Sequence, residues 1–260
     1  MGKMVLFGRE RLQKMSDINN NTVTIMDIAF LNTTKDAFME HYLFPALYRE
    51  EKCFVVTANP EIVMKAKEDD AYKRMIQSAD YVVPDGVGIL IAAKYKKHPL
   101  KERIAGYDLL IDLLAHAAAQ DLRCFFLGAT DAINEKAVQE AERKFPGLNV
   151  VGRHHGFFDV DDPAIAEKVR QTSPDLIFVA LGMPKQEEWI VKYKDTFAKG
   201  LFMGVGGSLD GLAGEVKRAP DIWIKLNLEW MYRLLKQPFR WKRILKVFEF
   251  MARIIFKKDK

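Results

Sequence analysis

The chain has 260 residues, of which 49% are hydrophobic and 29% charged, and its formal net charge is +5 at pH 7. This composition can bury a sizeable core, as in one large α/β domain or two small lobes. No run of about 18 apolar residues occurs, so we expect no membrane-spanning helix. The two cysteines, Cys53 and Cys124, lie in apolar segments without C-x-x-C spacing, which argues for a reduced, cytoplasmic protein and against disulfides.

The charge is unevenly distributed along the chain. Residues 217–260 contain 13 basic and 4 acidic side chains, a net charge of +9, whereas residues 1–216 have a net charge of −4. A basic C-terminal segment of this kind points to an anionic partner, such as a membrane, a nucleic acid or a phosphorylated substrate.

Taken in chain order, short segments rich in β-branched or aromatic residues are predicted as strands at 22–30, 53–58, 81–86, 124–129, 148–156, 175–181 and 200–207. Helical patterns lie between most of them, at 35–49, 61–78, 107–120, 132–145, 163–172 and 185–197. This alternation predicts an α/β fold with a Rossmann-like, largely parallel sheet and helices on both faces. The alternation ends near Ala219-Pro220. We therefore predict an α/β core over residues 1–219 and a basic, helical, membrane-docking appendage over residues 220–260.

Polar and glycine residues follow nearly every predicted strand. The segments are T-A-N-P after residue 56, P-D-G after 83, G-A-T after 127, G-M-P-K-Q-E after 181 and G-V-G-G-S-L-D-G after 203. Ligands of open α/β sheets bind at the carboxyl ends of the strands, so the pattern predicts one composite site.

Several of these features also have a plain structural interpretation. The glycines at 204–211 fit neither G-x-G-x-x-G nor a P-loop, and could cradle a diphosphate or form a tight turn. Asp85 could be a general base or a turn aspartate. Asp159 and Asp161 form the Asp-x-Asp pattern of metal-dependent glycosyltransferases, but Pro163 follows closely. We therefore interpret this region as a helix cap rather than a metal site.

The basic tail has the character of an interfacial segment. Arg233, Lys236, Arg240 and Arg243 are spaced as on one helical face, which Pro238 interrupts. Three of the four tryptophans also lie in this tail, and aromatic residues beside cations favour a membrane interface. The alternative is an ordinary pair of C-terminal helices packed on the core.

Six blocks in order carry a family resemblance: TANPEIVMKA, VVPDGVGI, ERIAGYDLL, FFLGAT, VALGMPKQEEW and GVGGSLDGLAGEVKRAP. Together they resemble the WecG/TagA/CpsF family of bacterial glycosyltransferases over roughly residues 23–240. The resemblance implies metal-independent, inverting transfer of N-acetylmannosamine or a related acidic sugar from a UDP donor. The acceptor would be a polyprenyl-diphosphate-linked amino sugar at the cytoplasmic membrane face, in wall teichoic acid or enterobacterial common antigen synthesis.

The resemblance also implies roles for individual residues. Asp85 matches the family's proposed base, with Thr57 and Asn59 in the turn beside it, and Arg103 and Gln186 match further substrate-binding positions. The residues that match or adjoin the UDP-binding region are Gly128, Ala129, Thr130, Gly182, Lys185, Gly206, Gly207 and Asp210. On the mechanism that the resemblance implies, Arg233, Arg240 and Arg243 of the tail are candidates to stabilise the leaving UDP in a site that needs no metal or other cofactor.

Two other classes of function remain as alternatives. A nicotinamide-dependent oxidoreductase would fit the fold, but the glycine fingerprint and the ribose-binding acid are missing. A nucleic-acid-binding protein could use the tail, but the tail is more apolar than a typical nucleic-acid arm. The sequence leaves open the choice between UDP-N-acetylmannosamine and its uronic acid, and whether the protein is a homo-oligomer.

Overall fold

A computed structural model describes residues 21–216, 219–220, 222–223, 229–236 and 241–256. The strands are β1 (Thr22–Ile25), β2 (Ile28–Leu31), β3 (Lys52–Ala58), β4 (Tyr81–Pro84), β5 (Arg123–Gly128), β6 (Asn149–His154), β7 (Leu176–Ala180) and β8 (Gly200–Gly204). The first helices are α1 (Lys35–Phe38), α2 (Phe44–Tyr48), α3 (Pro60–Glu68), α4 (Asp70–Gln77), α5 (Val87–Tyr95) and α6 (Gly106–Gln120). The later helices are α7 (Asp131–Lys144), α8 (Pro163–Gln171), α9 (Lys185–Tyr193), α10 (Ser208–Leu212), α11 (Glu229–Lys236) and α12 (Trp241–Ile255). A π-helical segment, Met39–Leu43, joins α1 to α2, and a 3₁₀ turn, Lys194–Thr196, follows α9.

The central sheet has six strands in the order β4-β3-β8-β7-β5-β6, and all neighbouring strands are parallel. Both faces are covered. In β3, Cys53 and Val55 belong to the core on one face, and Phe54 and Val56 belong to the core on the other. Burial on both faces explains why the central strands are almost entirely apolar. The predicted α/β fold with a largely parallel sheet is therefore confirmed.

Two predicted elements differ from the structure, and helix α5 was not predicted. The single strand expected at 22–30 is a separate antiparallel hairpin, because Met26 and Asp27 both have positive φ angles, +46° and +65°, and turn the chain. The helix expected over 61–78 is broken at Asp69, whose side chain accepts the first N–H groups of α4. Helix α5 was missed, because its nine residues are apolar on nearly every side and follow an apolar strand directly.

The tail is helical where the structure describes it, and α12 packs on α3 and α5. Phe250 and Ile254 of α12 are fully buried in one of the two cores. The division of the chain at residue 219 stays a prediction. Among the described residues, no helix combines the length and the apolar character that crossing a bilayer requires.

Candidate active site

The carboxyl ends of β4, β3, β8 and β7 open into one cleft with a volume of about 910 Å³. Parallel strands all end at the same edge of the sheet, so the turns that follow them meet there. Eight of the sequence-predicted site residues line this cleft: Thr57, Asn59, Asp85, Gly182, Gln186, Gly206, Gly207 and Asp210. The composite site predicted from the strand ends is thus present as a geometric feature.

Asp85 lies where the end of β4 meets the start of α6. Its Oδ2 accepts a hydrogen bond from the Gly106 N–H at 3.3 Å. A Cβ at Gly106 would lie 2.7 Å from Thr57 Oγ1, so glycine is what lets the start of the helix approach Thr57 this closely. The N-terminus of this 15-residue helix favours a negative charge on the carboxyl. Gly86 follows with a φ of +94°, so Asp85 also ends the strand in a turn, as the plain interpretation expected.

Asn59 has a structural role in addition to any contact with a substrate. Its Oδ1 accepts the Ile62 N–H at 3.1 Å, and it therefore caps α3, with Pro60 at the first helical position. Thr57 precedes it and also lines the cleft. The cap fixes the turn at Asn59, directly after the end of β3 where Thr57 lies.

The buried amide of Gln186 is held from two sides. Its Oε1 accepts the Gly206 N–H at 3.1 Å, and its Nε2 donates to Glu187 Oε1 at 2.7 Å. A Cβ at Gly204 would lie 2.6 Å from Gln186 Nε2, so the amide occupies the space that a side chain there would need. These contacts connect the turn after β7 to the glycine turn after β8, where Gly206 has a φ of +48°.

Glu187 is a buried carboxyl at the cleft, and burial raises its pKa to about 7. Among the described residues its second oxygen, Oε2, has no hydrogen-bond partner. The negative charge of Glu188 also raises the pKa of Glu187, whereas the hydrogen bond from Gln186 lowers it. The protein therefore holds a group that titrates near neutral pH beneath the cleft.

This shift predicts a pH-dependent cost in stability. Between the ordinary value of 4.5 and about 7, the folded state binds more protons at Glu187 than the unfolded state does, so the free energy of unfolding falls as pH rises. Over that window the loss is about 3 kcal/mol. Glu187→Gln should remove this slope, which urea unfolding at a series of pH values measures. Glu188→Gln, which removes a charge from the next, more exposed residue, should largely keep the slope, and an unchanged slope in Glu187→Gln would contradict the prediction.

The charge of the cleft is unfavourable for the diphosphate that the sequence analysis predicts there. Its described lining contains two lysines, Lys65 and Lys246, and five carboxyl residues, Glu61, Glu68, Asp85, Glu187 and Asp210. Lys246 comes from α12 and forms an ion pair with Glu68 of α3 at 2.5 Å. The tail therefore contributes to the cleft directly, and it does so through a cation.

Of the three tail arginines predicted to bind substrate, Arg240 lies outside the described residues. Arg233 and Arg243 fall within α11 and α12, but their side chains are also outside what the structure describes. Arg243 is one helical turn before Lys246, the residue that reaches the cleft. The role of these arginines stays a prediction.

Five other predicted residues do not line the cleft as the structure describes it. The Thr130 hydroxyl caps α7 by accepting the Ile133 N–H, and the Ala129 N–H donates to Ala180 O. Gly128 packs so closely on β7 that a Cβ would lie 2.4 Å from the Ala180 backbone. These contacts give the G-A-T turn a structural function. Its UDP-binding role stays a prediction, as do the roles of Lys185, which lines a separate surface groove, and Arg103, in the connection to α6.

The Asp-x-Asp segment lies away from the cleft and is engaged in local structure. Asp159 Oδ1 accepts the Asp161 N–H at 2.9 Å, and Asp161 forms an ion pair with Lys192. Asp162 caps α8 and is followed by Pro163 at the first position. The interpretation of this region as a helix cap fits these contacts.

Sequence reasoning missed several residues that line the cleft. Gly106 and Tyr107 line the cleft, but the sequence analysis gave neither residue a role in the site and placed only Tyr107 in a predicted helix, 107–120. Glu187 lines the cleft but was placed only within the predicted helix at 185–197, and Lys246 was counted only among the basic residues of the tail. An unusual glycine at a helix start was the available signal for Gly106.

Comparisons with known proteins give one consistent result. The model of the Glycosyl transferase WecG/TagA/CpsF family matches residues 23–260. A relative from Bacillus spizizenii is 38% identical over 234 residues, covering 90% of this chain and 91% of that protein. A relative from Staphylococcus aureus is 40% identical over 227 residues, covering 87% and 88%. Both carry the name N-acetylglucosaminyldiphosphoundecaprenol N-acetyl-beta-D-mannosaminyltransferase.

Proposed function

The chain belongs to the WecG/TagA/CpsF family of glycosyltransferases, and on that premise we propose that it transfers N-acetylmannosamine from UDP-N-acetylmannosamine. The acceptor is a polyprenyl-diphosphate-linked N-acetylglucosamine, and the pathway is the synthesis of teichoic acid or another surface polysaccharide. The observation that carries the proposal is the convergence of Thr57, Asn59, Asp85 and Gln186 in one cleft. The relatives named above for this reaction are similar over about nine-tenths of the chain.

In the proposed mechanism, Asp85 takes the proton from the acceptor hydroxyl, the 4-OH of N-acetylglucosamine, as that oxygen attacks the anomeric carbon of the donor. The attack is in line, the bond to UDP breaks, and the configuration inverts to give the β product. The Gly106 N–H, 3.3 Å from Asp85 Oδ2, keeps the carboxylate oriented. Thr57 and Asn59 orient the sugar beside it.

The departing UDP gains negative charge, which must be stabilised in a cleft whose described lining is mostly acidic. We assign this task to backbone N–H groups of the turn at Gly206 and Gly207 and to basic side chains from the tail. The position of Lys246 at the cleft supports a contribution from the tail. A lipid-linked acceptor also places the enzyme at the inner face of the plasma membrane, held there by the basic tail through anionic lipid.

A donor panel tests the proposed reaction. A short-chain lipid-diphosphate-N-acetylglucosamine acceptor is incubated with UDP-N-acetylmannosamine, its uronic acid or UDP-N-acetylglucosamine, and the products are identified by mass spectrometry. We expect a disaccharide mass with UDP-N-acetylmannosamine at the highest rate. Preference for the uronic acid would instead identify the related transferase of the same family, and no product with any of the three would overturn the proposal.

The same assay also tests whether turnover depends on a divalent metal ion. Because Asp159, Asp161 and Asp162 are engaged in a turn, an ion pair and a helix cap, we propose that the reaction needs no divalent ion at this segment. Turnover in excess EDTA should then equal turnover with magnesium. A loss that added Mn²⁺ or Mg²⁺ restores would contradict metal independence.

A further inference from the structure

Helix α5 presents apolar side chains to the surface. Ile91 is 47% exposed and Tyr95 is 49% exposed, and they lie one turn apart on the same face. The opposite face is buried in the core through Gly88, Ile89, Ala92 and Ala93. Exposed aliphatic and aromatic side chains that lie together mark a surface for a partner rather than for water alone.

The neighbouring helix α12 extends this surface. A Cβ at Gly88 would lie 3.9 Å from Val247, and the Tyr95 hydroxyl donates to Ile255 O at 3.1 Å. The second contact lies seven residues after the first along α5 and eight residues after it along α12. The two helices therefore run side by side in the same direction. Among the side chains of α12 that the structure describes, the exposed apolar ones are Trp241, Leu245, Phe248 and Ile255, and Phe256 follows the end of the helix.

The sequence of α5 and of the residues that directly follow it carries only basic charges. Residues 87–101 contain four lysines, Lys94, Lys96, Lys97 and Lys101, and no acidic residue. This stretch lies in the part of the chain that is net acidic as a whole. Cations at the edge of an exposed apolar strip complement an anionic lipid surface, where headgroups attract the lysines and the acyl boundary accepts the apolar side chains.

The shared surface begins at the cleft. Helix α5 starts two residues after Asp85, and Lys246, near the start of α12, lines the cleft. From Val87 to Tyr95 the helix extends about 12 Å, at about 1.5 Å per residue. An acceptor held in a bilayer beside this surface would have its sugar close to the carboxyl of Asp85.

We propose that α5 and α12 together form a bilayer-docking face, defined by Ile91, Lys94, Tyr95, Leu245, Phe248 and Ile255, whose occupant is an anionic lipid surface. The predicted α/β core, through α5, then takes part in membrane binding together with the tail. The bilayer-docking face sets the orientation of the cleft relative to the lipid. The proposal rests on the proposed function for its lipid-linked acceptor. The binding test below does not depend on turnover, so the two can fail separately.

The test is sedimentation of the full chain with vesicles of phosphatidylcholine, with and without phosphatidylglycerol. Ile91→Glu should lower partitioning to both kinds of vesicle by about tenfold or more, because an exposed apolar contact is replaced by a charge. Lys94→Gln should lower partitioning by about fivefold, and only where phosphatidylglycerol is present. The matched control is Phe157→Glu, which changes a side chain that is 74% exposed in another part of the surface and should bind as wild type does.

Each variant is also assayed with the short-chain acceptor in solution, where docking has no part. Ile91→Glu and Lys94→Gln should keep the wild-type rate there and lose turnover on acceptor embedded in vesicles. Wild-type partitioning of both variants would overturn the proposal. An equal loss of turnover on the soluble acceptor would also overturn it, because the face would then act inside the site.

Discussion

Asp85→Asn should retain UDP binding and lose turnover by about 10²–10⁴-fold, the range for removal of a general base. The amide has nearly the shape of the carboxyl, and its oxygen can still accept the Gly106 N–H, so the meeting of β4 and α6 is preserved. It cannot take the proton from the acceptor hydroxyl. The measurement is kcat with the soluble acceptor, together with UDP affinity by calorimetry.

Asp108→Asn is the matched control for this change. Asp108 lies in the first turn of the same helix, α6, but is not among the residues that line the cleft, so its loss should leave kcat nearly unchanged. Near-normal turnover of Asp85→Asn would refute the assignment of the base. A loss of UDP affinity equal to the loss of kcat would instead assign Asp85 to donor binding.

The sequence predicted the sheet edge well because two local signals coincide there. Central strands such as β7 are apolar throughout, since both of their faces are buried, and small polar or glycine residues follow where the chain turns. Thr57 lies near the end of β3, Asp85 directly follows β4, and Gln186 lies at the start of α9, the helix that follows β7. Their convergence follows from the parallel order of the strands and needs no knowledge of side-chain packing.

The remaining lining of the cleft depends on contacts between distant parts of the chain. The ion pair of Lys246 with Glu68 joins residues 178 positions apart, and no local pattern distinguishes Lys246 from the other tail cations. Gly106 matters because a Cβ would collide with Thr57, which only the folded arrangement reveals. Conversely, the G-A-T turn has the composition of a ligand loop, but its contacts serve the packing of β5 on β7 and the cap of α7.

Truncation after Arg218 should release the protein from anionic liposomes and abolish turnover of a soluble, short-chain acceptor. The tail carries most of the excess positive charge. Each basic residue near an anionic surface contributes about 1 kcal/mol of attraction. It also supplies Lys246 to the cleft and, on our proposal, the arginines that stabilise UDP. Membrane recruitment is irrelevant to an acceptor in solution, so the second loss would show a direct part in catalysis.

The truncation also removes Phe250 and Ile254, which are buried in the core, so the shortened chain has to be shown to be folded by its thermal unfolding transition. Single changes avoid this difficulty. We expect the three single variants, Arg233→Ala, Arg240→Ala and Arg243→Ala, to fall into two groups. Loss of a catalytic arginine should lower turnover and leave liposome binding almost intact. Loss of a docking arginine should lower liposome binding and leave turnover almost intact. Lys246→Gln is the comparison from the same helix, because it removes a cation already placed at the cleft, and should lower turnover of the soluble acceptor.

These variants separate the two roles of the tail because the soluble acceptor reports only on the cleft and the liposomes report only on docking. A folded, truncated enzyme that turns over the soluble acceptor at the full rate would show that the tail is an anchor alone. The negative charge on UDP would then have to be stabilised within residues 1–218. Lys65 is the only lysine or arginine that the described part of this segment contributes to the cleft lining, and five carboxyl residues share that lining. Such a cleft is poorly suited to a departing diphosphate, which is the physical reason to expect that the tail completes it.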